Sequence, residues 1–269
     1  MLLALASNAP AAEKSHSVKV LKDIHTVHSE DRHTFLDLYL PGRAKAFPVF
    51  IFIHGGAWRT GDKSQYENIG MSIAGAGIGV AVMNYPIGNL HPAHISQAAQ
   101  VFSWARGHSK EYGWDPQKIF IGGHSAGGHM AALLTLDPEY LKAMSLKTSD
   151  VHGCVVLDGV ALDLDHASER PPLLLDMYQS AFGAREGWHA ASPMTWITAK
   201  NTPFLVLIGE KDDLISHADT DQFVSKLKTA GTSVESAAIP GRDHFGMVSR
   251  IGEPGDPVGP KIIEFIRKN

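Results

Sequence analysis

This 269-residue sequence predicts an α/β fold with a mostly parallel sheet and helices on both faces, and three observations carry that prediction. Short runs of β-branched, aliphatic and aromatic residues recur, with the length and composition of strands buried on both sides. Segments with helical spacing alternate with those runs. Turn residues close nearly every run, and the chain has 26 Gly and 15 Pro to supply them. Such alternation implies strand–helix–strand units, with ligands bound at the carboxyl ends of the strands.

In chain order, Thr34 to Leu40 alternates as an edge strand, and Pro48 to Ile53 is a continuous apolar run stopped by His54-Gly55-Gly56. Asn68 to Ala76 has helical spacing and ends before Gly77 and Gly79. Val80 to Tyr85 is a strand stopped by Pro86. Ile95 to Tyr112 reads as a helix with Ala98, Val101, Phe102 and Ala105 on one face, followed by the turn Gly113-Trp114-Asp115-Pro116. Ile119 to Gly123 is the next strand and His129 to Leu136 the next helix. Cys154 to Asp158 and Phe204 to Ile208 are strands. Ala218 to Ala230 is a helix closed by Gly231, Ser233 to Ile239 a strand, and Gly259 to Lys268 the last helix. The stretch from Asp163 to Trp196 breaks this order, which suggests either an inserted cap over the site or a packet of surface loops.

One domain over residues 1–269 is expected, with residues 1–17 a signal remnant or a loose amino terminus. The apolar start lacks a basic segment, so cytoplasm and export both stay open. Lys plus Arg number 24 against 28 Asp plus Glu, a formal charge of −4, and no basic block tracks a phosphate backbone, so nucleic acid is not an expected partner. The single cysteine, Cys154, permits no intrachain disulfide and reads as a buried, inert thiol. No apolar stretch reaches the ~20 residues needed to cross a bilayer. Fifteen histidines raise the question of a metal. No H-E-x-x-H occurs, and the pairs His25/His28 and His91/His94 lack a carboxylate or third ligand, so none is expected. Gly75, Gly77 and Gly79 precede a strand rather than follow one and make no dinucleotide fingerprint, and no cofactor is expected. A homodimer stays open.

The sharpest signal is Gly123-His124-Ser125-Ala126-Gly127 between a strand and a helix. A serine hydroxyl is a weak nucleophile and needs an exposed position on a tight turn with small neighbours. The amide of Ala126, at the start of the following helix, is placed to stabilise an anion on a substrate carbonyl. Directly after another buried strand, His54-Gly55-Gly56-Ala57-Trp58 leaves the amides of Gly55 and Gly56 uncovered, which suits the other half of an oxyanion hole. His244 falls between the last strand and the last helix and is the candidate base; His54, His124 and His129 read as supports for the two turns, and His91, His94, His152 and His217 as solvated or locally hydrogen-bonded. The carboxylate that orients the base belongs after the strand Phe204 to Ile208, where Asp212 and Asp213 are adjacent and spacing does not separate them. Trp58, Tyr85, Trp188 and Met194 are pocket candidates that serve equally as packing, with Trp58, in the glycine loop, assigned to substrate binding.

With these residues in view, the chain resembles the His-Gly-Gly-containing α/β-hydrolase esterases related to hormone-sensitive lipase, over about Leu36 to Lys268. The motifs are His54-Gly55-Gly56-Ala57-Trp58 with Gly61-Asp62-Lys63, Gly123-His124-Ser125-Ala126-Gly127-Gly128-His129, Gly209-Glu210-Lys211-Asp212 and His244-Phe245. The resemblance implies an α/β-hydrolase fold, a Ser125-Asp212-His244 triad and oxyanion donors from Gly55, Gly56 and Ala126; it selects Asp212, three residues after Gly209. His124 before the nucleophile and Ala57 after the glycine pair depart from the lipase-like pattern and favour the feruloyl-esterase-like and kynurenine-formamidase-like branches. Tyr85-Pro86 stands where many relatives carry Tyr-Arg, so the role of that arginine does not transfer. The expected function is hydrolysis of a small-molecule carboxylic ester with short-to-medium acyl or aryl groups; the alternatives are a formamidase-type amidase and a ligand-binding protein without turnover.

Overall fold

The computed structural model describes residues 16–27, 31–42, 44–166, 171–198 and 201–269. Most of the expected amino-terminal segment, and His28, lie outside these residues. Among the described residues eight strands form one sheet: β1 (Val18–His25), β2 (Phe35–Pro41), β3 (Phe47–Ile53), β4 (Gly79–Met83), β5 (Trp114–His124), β6 (Gly153–Leu157), β7 (Phe204–Gly209) and β8 (Val234–Ile239). Their spatial order is β1-β2-β4-β3-β5-β6-β7-β8. The pairs β1/β2 and β2/β4 are antiparallel, and every pair from β4/β3 to β7/β8 is parallel.

Because side chains alternate along a strand, the central apolar runs feed two cores. Phe50 and Phe52 join Tyr39, Val82 and Phe120 on one face, under the helices Glu67–Gly75 and Val258–Lys268. Val49, Ile51 and Ile53 join Leu38, Met83 and Ile121 on the other, under Ala93–Gly107, Ala126–Leu136 and His217–Thr229. Among the described residues no helix is long and apolar enough to cross a membrane.

Three expectations change. The strand expected at Thr34 to Leu40 is not an edge: Val18–His25 pairs outside it, its half-exposed pattern carrying too weak an apolar signal to be read as a strand. The expected helix Ile95 to Tyr112 breaks after Gly107, and Ser109–Tyr112 forms a separate turn, consistent with the poor helix propensity of glycine. The expected turn Gly113-Trp114-Asp115-Pro116 is in β5 from Trp114 onward, since Trp114 pairs with Phe47 of β3.

Register positions the site. Ile53 of β3 stands beside Gly123 of β5, His124 beside Leu157 of β6, Leu157 beside Leu207 of β7, and Gly209 beside Ile239 of β8. Five consecutive parallel strands therefore end at one edge, and the loops that leave them meet there.

Candidate active site

Ser125 links β5 to the helix Ala126–Leu136 with φ +55° and ψ −118°. A non-glycine residue held at such a backbone costs on the order of 1–3 kcal/mol, sustained only where the surroundings enforce it. Here β3 enforces it. A Cβ on Gly127 would lie 2.1 Å from the Ile53 carbonyl oxygen, and one on Gly123 would lie 2.5 Å from the Gly127 carbonyl. The Ser125 side chain makes no capping bond to the helix. It is 7 % exposed and borders a cleft of about 700 Å³.

His244 leaves the end of β8 and borders the same cleft. Its Nδ1 lies 2.7 Å from Asp212 Oδ2. That contact fixes the N–H on Nδ1 and leaves Nε2 as the acceptor. Asp212 Oδ1 accepts from the amides of Leu214 at 2.8 Å and Ile215 at 3.2 Å. Burial opposes ionisation of Asp212, but the hydrogen bond from His244 and those two amides outweigh it and hold the carboxyl below its usual range. Asp213, the other carboxylate that spacing allowed, is exposed. His124 is buried, its Nε2 lies 2.9 Å from the His244 carbonyl oxygen, and burial pushes its imidazole down to about 3. A neutral Nε2–H thus donates to the backbone of the loop that carries His244.

The glycine loop is held from beneath. His54 is buried, stacks on Tyr85 with ring centroids 4.3 Å apart, and donates from Nδ1 to the Gly55 carbonyl at 2.6 Å. The Gly55 amide is already donated to the Tyr66 hydroxyl at 3.1 Å, which removes it from the expected set of free oxyanion donors. Gly56 (φ +121°) and Ala57 (φ +53°) form the turn that borders the cleft, and among the described residues their amides have no hydrogen-bond partner. Ala126, the first residue of its helix, likewise has no carbonyl one turn back to receive its amide.

Trp58, expected at the substrate, lies elsewhere. It is 1 % exposed and packs edge-on to His129 at 5.2 Å and Phe182 at 4.9 Å, so it supports the loop from inside the core. Tyr85, Trp188 and Met194 are also buried and do not border the cleft. His94, expected to be solvated or locally hydrogen-bonded, is fully buried rather than solvated, with the backbone of Asn89 as its local polar neighbour. His91 Nε2 lies 2.9 Å from the Tyr140 hydroxyl, His152 meets the Asn269 carbonyl at 2.8 Å, and His217 is exposed. From the segment Asp163 to Trp196, the helix Pro172–Phe182 brings Leu173 and Met177 to the cleft wall.

The structure adds residues to which no motif pointed. Leu214 and Val248 supply apolar wall beside Phe245 of the His244-Phe245 motif, and Arg59 ties the glycine loop to the helix Pro172–Phe182 through Asp176 at 3.0 Å and Ser180. Asp158, just past β6, is buried behind His244. Its signal in the sequence is only a carboxylate at a strand end. His124, Asp158 and His244 lie near enough to hold an ion, but the His244 Nδ1 that faces Asp158 is engaged by Asp212, so a metal there would displace that bond.

A family model, BD-FAE, matches residues 36–227. The chain belongs to the BD-FAE family. It is 32 % identical to LipM of Mycobacterium tuberculosis over 77 % of this chain and 51 % of that protein. It is 30 % identical to the esterase LipQ of the same organism over 79 % of this chain and 54 % of LipQ. The chain spans about half the length of these curated relatives. A truncated carbohydrate esterase from gut microbiota superposes with a TM-score of 0.81 at 21 % identity, covering 96 % of this chain and 98 % of that one. That likeness establishes the α/β-hydrolase fold of this BD-FAE member.

Proposed function

We propose that the chain is a serine carboxylesterase that hydrolyses short-to-medium acyl or aryl esters through an acyl-enzyme. The observation that carries this reading is the 2.7 Å contact between His244 Nδ1 and Asp212 Oδ2 in a cleft bordered by both His244 and Ser125. The relatives named as esterases agree with it.

His244 Nε2 takes the proton as Ser125 Oγ attacks the ester carbonyl, and Asp212 stabilises the imidazolium that results. The oxyanion forms beside the amides of Ala126, Gly56 and Ala57, where one such donor is worth ~3–4 kcal/mol of barrier. The imidazolium then protonates the departing alcohol. Water attacks the acyl-serine by the same route in reverse, releasing the acid and restoring the hydroxyl. The apolar wall of Leu173, Met177, Leu214, Phe245 and Val248 suits an acyl or aryl group.

The test is a series of p-nitrophenyl esters from acetate to laurate, with N-formylkynurenine alongside, for the protein and for Ser125→Ala. Ester turnover that falls by several orders of magnitude in the variant supports the proposal. Faster deformylation than ester cleavage replaces it with the amidase. Unchanged turnover in Ser125→Ala overturns the assignment of the nucleophile.

A further inference from the structure

Asp158 stands at the carboxyl end of β6 with φ +46°, its side chain wholly buried. One oxygen is satisfied: Oδ1 accepts from the Gly209 amide at 2.7 Å. The other, Oδ2, is buried, finds no donor, and lies 4.0 Å from His244 Nδ1. That N–H is already committed to Asp212. Asp158 Oδ2 and Asp212 Oδ2 both face that one nitrogen, at 4.0 Å and 2.7 Å, so the two carboxylates stand side by side against His244. Two ionised carboxylates in such contact repel, and a buried acceptor without a donor is costly. Both problems disappear if Asp158 carries a proton, because its O–H then has Asp212 as acceptor.

We infer that Asp158 is a positioning residue of the proposed triad, a neutral carboxylic acid at neutral pH that donates its proton to Asp212 and holds that carboxylate against His244. Asp212 then receives hydrogen bonds from His244, Leu214, Ile215 and Asp158, which saturates its two oxygens. The groups that face Asp158 are Asp212 from the loop after β7, Asp243 and His244 from the loop after β8, and His124 from the end of β5. Burial above all, then the negative charges of Asp212 and Asp243, push its carboxyl up to about 8 against the pull of the Gly209 amide. As pH rises through that region Asp158 ionises, and a second negative charge appears beside Asp212 and His244. The inference rests on the triad reading for its kinetic consequence but not for the protonation itself.

The experiment therefore has two readouts on the full chain. In the infrared, the protein at pH 7 shows a protonated carboxylic-acid band that is missing from Asp158→Asn and that fades as pH is raised through about 8. In ester hydrolysis, Asp158→Asn keeps an amide donor of the same shape and stays within about threefold of the parent kcat at pH 7. Asp158→Leu loses about tenfold in kcat at similar KM, the scale of one hydrogen bond to a charged group. The parent pH profile has a transition near 8 that Asp158→Asn lacks; a purely structural role would lower thermal stability in both variants and leave that transition in place. Identical infrared spectra for parent and Asp158→Asn overturn the inference even if no ester is turned over. An intact band with equal kinetic damage in Asn and Leu variants overturns the positioning role. Absent esterase activity with the band present leaves the shared proton standing and removes only the triad reading.

Discussion

His244 and His94 are both buried imidazoles among aromatic rings, yet their surroundings prepare them for opposite roles. His244 is 6 % exposed, faces His124 at 4.6 Å and Phe245 at 5.4 Å, borders the cleft, and has a carboxylate at 2.7 Å. His94 is 0 % exposed and sits near Trp58 and Phe182, each at 6.2 Å, with His91 at 5.5 Å. Burial foremost, then the neighbouring His129 and His91, drive its pKa far below the ordinary value of 6.5. An imidazole so placed stays neutral and has nowhere to pass a proton. A buried histidine works as a base only where a carboxylate supports its cation and an opening admits the substrate.

The largest loss is expected at His244. Replacing it by Ala should lower kcat for a p-nitrophenyl ester by about 10⁶-fold, as removal of a base that acts with its nucleophile does. A loss below a hundredfold would assign the base elsewhere. Asp212→Asn should cost about 10⁴-fold by presenting the wrong hydrogen-bond pattern to Nδ1. Asp213→Asn, at the exposed neighbour, should stay within about twofold. Equal losses at the two positions would dissolve the distinction that spacing left open.

His94→Leu should act on stability rather than on turnover. Activity should remain within about threefold, and the dependence of Tm on pH should flatten. The folded-state pKa of His94 lies below 6.5, so the unfolded chain takes up the proton first. The stability associated with neutral His94 is therefore complete above 6.5 and is lost as pH falls below it. His129, which burial pushes down to about 3, and His91, pushed down to about 4, add to the same acid slope. A slope between pH 6.5 and 4 that His94→Leu leaves unchanged would place the acid sensitivity outside this cluster. A modest effect, on KM rather than on kcat, is expected at Arg59→Ala. Its pair with Asp176 is exposed and contributes about 0–1 kcal/mol, so KM should rise only a few-fold with kcat nearly constant. A larger change in kcat than in KM would mean that Arg59 holds the oxyanion loop rather than the helix beside it.

The legible parts of the site were those whose chemistry forces a local pattern. Gly123 and Gly127 announce Ser125 because no side chain fits where β3 passes. The Gly55-Gly56 pair announces an uncovered turn, but not that the Tyr66 hydroxyl takes one of its amides, since that contact spans eleven residues and follows from how the chain returns. Trp58 looked like a pocket residue because it adjoins the glycine loop; a φ of +58° turns it into the core instead. Tyr66, Arg59, Leu173 and Leu214 carry no motif, because a cleft wall requires only a suitable surface at the end of a suitable element.

Periodicity and tight turns are local properties of the chain, and they are enough to place the alternation of strand and helix and to set Ser125, Asp212 and His244 after strand ends. Long-range packing alone makes Val18–His25 an outer strand, seals His94 in a core and brings Asp158 to 4.0 Å from the His244 Nδ1 that Asp212 engages. Each of those depends on which strands become neighbours and in what register. Burial and electrostatic partnership are sums over groups distant in sequence, so the same Asp or His is a surface charge or a neutral buried acid or base according to what the fold brings beside it.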